Sequence, residues 1–78
     1  MTRTEFQYAV EDILKVPRGS LKESDSRDTV ETWSSFSDLD IVECIERNFA
    51  FEADADFMEA ESFGEILKKL EGKRVFSA

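Results

Sequence analysis

Apolar residues recur at helical spacing in three stretches of the chain. In residues 4–16, Phe6, Val10, Ile13 and Leu14 fall at i, i+4, i+7 and i+8, with Ala9 beside them, which predicts an amphipathic helix. Thr2 and Glu5 have the spacing of a capping box at its start. Pro17 disfavours helix at Val16, and Gly19 and Ser20 follow. Residues 35–49 carry the clearest helical pattern. Leu39, Val42, Ile45 and Phe49 form the expected buried stripe, with Ile41 flanking it. Phe36, Asp40, Glu43 and Arg47 recur at steps of 4, 3 and 4 on the opposite side, facing water. Ser34 or Ser35 suits the N-cap. Asp38 and Asp40 fall in the first turn, where carboxylates favour the positive end of the macrodipole. By the same wheel Asp38 lies close to the buried side, placed to cap the helix.

The last helix opens on Ser62 and Glu65, again with capping-box spacing, and runs through Phe63, Ile66, Leu67 and Leu70. Gly72 is expected just past its end, as a C′ residue. Residues 53–59 predict a short extra helix with Phe57 and Met58 inward. Residues 17–33 lack a period and read as a long first loop, of a kind often functional. Leu21, Val30 and Trp33 are its expected anchors on the core. Residues 73–78 read as a frayed tail, with Val75 and Phe76 able to fold back. The sum is an all-α chain: a small up-and-down four-helix bundle of three main helices and a short third one.

Composition narrows the chemistry. Seventy-eight residues make one domain, 1–78, with a modest core. Ten Lys and Arg stand against eighteen Asp and Glu, a formal charge of −8. Nucleic acid is bound through clustered Lys and Arg, so the expected partners are basic and not polyanions. Hydrophobic residues make up 41% of the chain and seven are Phe, too apolar for a disordered acidic tail. The absence of histidine removes the Ser-His-Asp and Cys-His pairs and any imidazole metal site. No apolar run is long enough to span a membrane, and the first residues lack a signal peptide's apolar stretch. A cytoplasmic setting is expected.

Two candidate sites fall away. Asp54 and Asp56 have the D-x-D spacing of a calcium loop, but the sixth position is Glu59 where an EF-hand needs Gly. Cys44 has no His partner and is expected to be a small, half-buried side chain. The charged stripe through Phe36 admits two readings. It is a solvated helix surface, or, because a large aromatic sits off the buried face, a partner contact.

The stretch Trp33-Ser34-Ser35-Phe36-Ser37-Asp38-Leu39-Asp40-Ile41 resembles the attachment motif of acyl carrier proteins. It is most similar to carriers of the polyketide and nonribosomal-peptide type, where W-D-S-L-x-H-L-x-L opens the second helix. The likeness continues through Glu46-Arg47-Asn48-Phe49 and the Phe49-Ala50-Phe51-Glu52 exit. It extends to Ser62-Phe63-Gly64-Glu65-Ile66-Leu67, and upstream to Leu21-Lys22-Glu23-Ser24-Asp25-Ser26 in the first loop. The sequence departs from the motif at Ser34, where the family has Asp, at Phe36, where it has Leu, and at Asp38, where the family often has His.

The resemblance implies a stand-alone, monomeric carrier that is not itself an enzyme and holds no metal. Ser35 would receive 4′-phosphopantetheine from coenzyme A through a phosphopantetheinyl transferase, and acyl or aminoacyl groups would then ride on the arm as thioesters in fatty-acid, polyketide or peptide-type biosynthesis. Both Ser34 and Ser35 carry hydroxyls, and the alignment with the family selects Ser35. Phe36, Asp40, Glu43 and Arg47 would form the docking face for acyl-loading ligases, synthases and transferases with basic patches. The alternative is an unmodified carrier-like domain acting as a noncovalent adaptor.

Overall fold

The computed structural model describes residues 1–49, 57 and 60–76. These residues are all-α, with no strand among them. The helices are α1 (Arg3–Leu14), α2 (Ser35–Phe49) and α3 (Phe63–Gly72). Of the predicted short helix 53–59, only Phe57 is described. It is helical and buried. Met58 and the Asp54–Asp56 pair lie outside the described residues, as do Ala50, Phe51 and Glu52 of the predicted exit from α2.

The capping box at α1 forms as expected. The Thr2 hydroxyl accepts from the Glu5 N–H at 3.1 Å, and the Glu5 carboxylate accepts from the Thr2 N–H at 2.8 Å. The helix ends at Leu14, two residues short of the predicted end. Lys15 turns left-handed at φ 59°, and the Val16 N–H bonds back to the Glu11 carbonyl at 3.0 Å. That turn sends the chain into the loop before Pro17 is reached.

Leu21 and Trp33 are buried and Val30 packs on the core, so all three expected anchors hold the loop. Its polar bonds are equally specific. Glu11, fully buried on α1, accepts the Gly19 N–H at 3.0 Å and the Leu21 N–H at 2.9 Å. The start of α3 donates its Phe63 and Gly64 N–H groups to the Asp25 and Glu23 carbonyls, each at 2.9 Å. This approach is close. A Cβ on Gly64 would lie 3.0 Å from the Glu23 carbonyl oxygen. Donors at a helix start have no partner within their own helix, and here the loop backbone provides one.

The rotation of α2 differs from the expected one. Ser37, Ile41, Cys44 and Ile45 are buried, while Val42 and Phe49 pack at the edge of the core. Leu39, predicted inside, is 54% exposed. The helix is turned toward its Ile41 side because its entry is tied to the loop. The Ser37 hydroxyl donates to the Thr32 carbonyl at 2.8 Å, which draws that small residue inward and carries Leu39 out.

At α3 the Ser62 hydroxyl accepts from the Glu65 N–H at 3.3 Å. The Glu65 carboxylate returns to the N–H of Glu61 and not to that of Ser62, so the expected box is shifted by one residue. Gly72 is the last helical residue and not the left-handed C′ residue. Arg74 takes the left-handed turn instead, at φ 56°. That turn sends Val75 and Phe76 back onto the core, so the described part of the tail follows the fold-back expectation. Phe76 packs against Phe6 and Phe49, with centroids 5.8 and 5.6 Å apart. Phe6 stacks on Phe63 at 6.2 Å, so one aromatic cluster joins all three helices and the tail.

Candidate functional site

The site is the first turn of α2. Ser34 is the N-cap: its carbonyl accepts the Asp38 N–H at 3.0 Å and its hydroxyl accepts the Ser37 N–H at 3.4 Å. Ser35 is therefore the first helical residue. It is exposed, in a turn whose leading N–H groups have no acceptor within the helix.

Asp38 holds this turn in place. Its carboxylate accepts from the Trp33 indole N–H at 2.7 Å and from Arg27 Nε at 2.8 Å. The carboxylate side chain is 12% exposed and the guanidinium 33%. Arg27 also donates through Nη1 to the Ala60 carbonyl at 3.0 Å, and its guanidinium carbon lies 5.7 Å from the Trp33 ring centroid. A single cation thus links the first loop, the start of α2 and the approach to α3. Asp38 does lie toward the buried side, as the wheel predicts, but it binds side chains from the loop and does not serve as the cap. Its charge is matched by Arg27, so the first turn keeps its attraction for an anion.

The outer face of α2 has few partners. Phe36 is 81% exposed, and with Leu39 it makes up the exposed large hydrophobic residues among those described. Asp40 is exposed and has no ion pair among them. Glu43 and Arg47 pair with each other at 3.0 Å, both well exposed. Phe36, Asp40, Glu43 and Arg47 therefore share one side, as predicted, and Leu39 joins them. Because Arg47 offsets Glu43, the uncompensated charge beside Phe36 is that of Asp40.

Cys44 is buried more fully than expected. Burial pushes its thiol pKa up, against the Asn48 hydrogen bond and the charge of Arg47, so it is a poor nucleophile. Among the described residues no cluster of His, Cys, Asp and Glu is placed to hold a metal, and no helix is long and apolar enough to cross a membrane.

Sequence reasoning missed Glu11, Arg27 and Leu39. Glu11 had a signal, since it falls on the buried face between Val10 and Leu14. Burial opposes its ionisation, but the N–H groups of Leu21, Gly19 and Ser20 and the Gln7 amide outweigh that cost. Its pKa is lowered. Arg27 had no local signal: the acceptors Asp38 and Ala60 lie 11 and 33 residues away.

Comparison with protein-family models, with curated proteins and with solved structures found no match to this chain.

Proposed function

We propose that this protein is an acyl carrier, loaded at Ser35 with 4′-phosphopantetheine. The observation that supports it best is an exposed serine at the start of a helix whose first turn is hydrogen-bonded to the loop, beside the solvent-facing pair Phe36 and Leu39. The residues suit the group. An exposed hydroxyl is open to a transferase, and the phosphodiester would sit by the N–H groups of the first turn, where an anion is favoured. In loading, the Ser35 oxygen would form a bond to the pantetheine-side phosphorus of coenzyme A's pyrophosphate as the phosphoanhydride bond breaks, adenosine 3′,5′-diphosphate would leave with the bonding electron pair, and the hydroxyl proton would pass to a base of the transferase. When bound, the arm supplies a terminal thiol that carries acyl or aminoacyl groups as thioesters. Ser35 needs no base from this chain, in keeping with a sequence that lacks histidine.

In this reading residues 53–59 supply the short third helix of a four-helix bundle. The protein works as a monomer in the cytoplasm, and transferases, ligases and synthases dock through basic patches on Phe36, Leu39, Asp40 and the Glu43–Arg47 pair. Intact mass after incubation with coenzyme A and a broad-specificity transferase should show one added arm. Peptide mapping should place it on Ser35, and Ser35→Ala should abolish it with the fold unchanged. Label on Ser34, or none with any transferase, would refute the proposal.

The second reading, an unmodified adaptor, is favoured by Ser34 standing where the resembling carriers have Asp. If that residue is what limits recognition by the transferase, Ser34→Asp should speed loading. Equal or slower loading would leave the adaptor without its main support.

A further inference from the structure

Asp38 follows Ser35 by three residues, within the first turn of α2. Residues at that spacing are neighbours on a helix surface, with Cβ atoms about 5–6 Å apart. Left unpaired, the carboxylate would set its negative charge beside the phosphate that Ser35 receives in loading. Glu31 and Asp40 are also close in sequence, but both are exposed, so water and salt screen them. The Asp38 side chain is 12% exposed, and its charge is screened much less.

The two bonds to this carboxylate differ in kind. Oδ1 accepts the Trp33 indole N–H at 2.7 Å, from a neutral donor that orients the group without cancelling its charge. Oδ2 accepts Arg27 Nε at 2.8 Å, and that donor brings the opposite charge. The guanidinium is itself aimed. Its Nη1 donates to the Ala60 carbonyl at 3.0 Å, and its carbon lies 5.7 Å from the Trp33 ring centroid.

We propose that Arg27 is a positioning residue for the loading of Ser35. It acts through Asp38, holding that carboxylate against Trp33 and cancelling its charge next to the point of phosphate transfer. The inference rests on the carrier reading and adds to it a residue that no local motif marks. Its consequence is an asymmetry. Breaking the ion pair from either side costs stability, but only loss of the cation leaves a carboxylate uncompensated beside Ser35.

The test measures initial rates of arm transfer from coenzyme A by a broad-specificity transferase, read by intact mass where circular dichroism shows each variant folded. Arg27→Gln and Arg27→Met remove the charge with a polar and an apolar side chain. Each should load about tenfold more slowly than wild type, the size expected of one unit charge at that separation, between the limits of water and of a protein surface. The deficit should shrink as salt is raised. Asp38→Asn breaks the same ion pair and should load at close to the wild-type rate. Adding Asp38→Asn to Arg27→Gln should recover most of the lost rate. Arg27→Lys keeps the charge without the planar fork and should also stay close to wild type. A tether without an electrostatic role gives another pattern: equal slowing in Arg27→Gln and Asp38→Asn, and a double variant no better than either. That pattern would overturn the inference, as would unchanged loading in the neutral variants. If neither neutral variant folds, Arg27 is a requirement of the fold and the inference falls. In all of these outcomes wild type loads and the carrier reading stands. Wild type that takes no arm would refute that reading and this inference with it.

Discussion

The first loop and the outer face of α2 are opposites. The loop has no regular structure, yet its backbone is held from three directions: by the Glu11 carboxylate, by the leading N–H groups of α3, and by Arg27 with its partners Asp38 and Ala60. The outer face is regular helix, yet Phe36 and Leu39 project into solvent. Regularity and constraint are therefore separate properties. A segment is fixed when its polar groups are satisfied by distant parts of the chain, and a helix face left without such partners is available for another molecule.

The contrast would break most visibly at Glu11. Glu11→Ala leaves the buried Leu21 N–H and the part-buried Gly19 bond without their acceptor and should cost about 1–3 kcal/mol, mainly from the penalty for one stranded buried donor. Urea denaturation measures this. The pH dependence has a definite sign. Because the folded-state pKa is lowered, the carboxylate's stabilisation is present above the unfolded-state pKa and is lost as pH falls through the folded one. Wild type should thus lose stability in acid more steeply than Glu11→Ala. Parallel pH profiles would mean that the charge of Glu11 does not hold the loop.

A smaller loss is expected at the Arg27–Asp38 pair. It is partly open to water, so screening reduces its worth, and Asp38→Asn should cost about 1–2 kcal/mol. Trp33 provides the local readout, since weakening its bond to residue 38 should change its emission. Unchanged emission together with unchanged stability would remove Asp38 from the loop's anchors.

Gly64→Ala tests the third anchor. Helix propensity favours alanine by about 1 kcal/mol, but crowding against Glu23 should cost about 1–3 kcal/mol, for a net loss of about 1 kcal/mol. A stabilised variant would show that the loop yields easily at that contact.

The smallest stability effects belong to the outer face. Phe36→Ala and Leu39→Ala should each change stability by about 0.5 kcal/mol or less, while weakening transferase kinetics with little salt dependence. Asp40→Lys should slow association more than Glu43→Lys, because Arg47 already offsets Glu43. The loss should shrink as salt screens exposed charge. Folded variants with unchanged kinetics would place the docking surface elsewhere.

Much of this was legible in the sequence. The three described helices follow from apolar spacing, and the cap at Thr2 and Glu5 from a local motif whose groups lie within one turn. The exposure of Phe36, Asp40, Glu43 and Arg47 followed from their common side. Leu21, Val30 and Trp33 were readable as anchors because isolated apolar residues in a polar stretch have little reason to be there except burial.

The rotation of α2 was not legible. Apolar residues occupy so wide an arc, from Leu39 through Val42 and Phe49 to Ile41 and Ile45, that periodicity admits more than one buried stripe. The choice was made by contacts outside the helix: Ser37 to Thr32, and Asp38 to Trp33 and Arg27. The sequence by itself determined where the three described helices lie and that Phe36, Asp40, Glu43 and Arg47 face away from the core. Only the tertiary structure decided which side of α2 is buried, and that a carboxylate and a guanidinium would order the first loop. Helical periodicity and caps are set by residues three or four apart, whereas a buried polar bond depends on which distant groups the fold brings within reach.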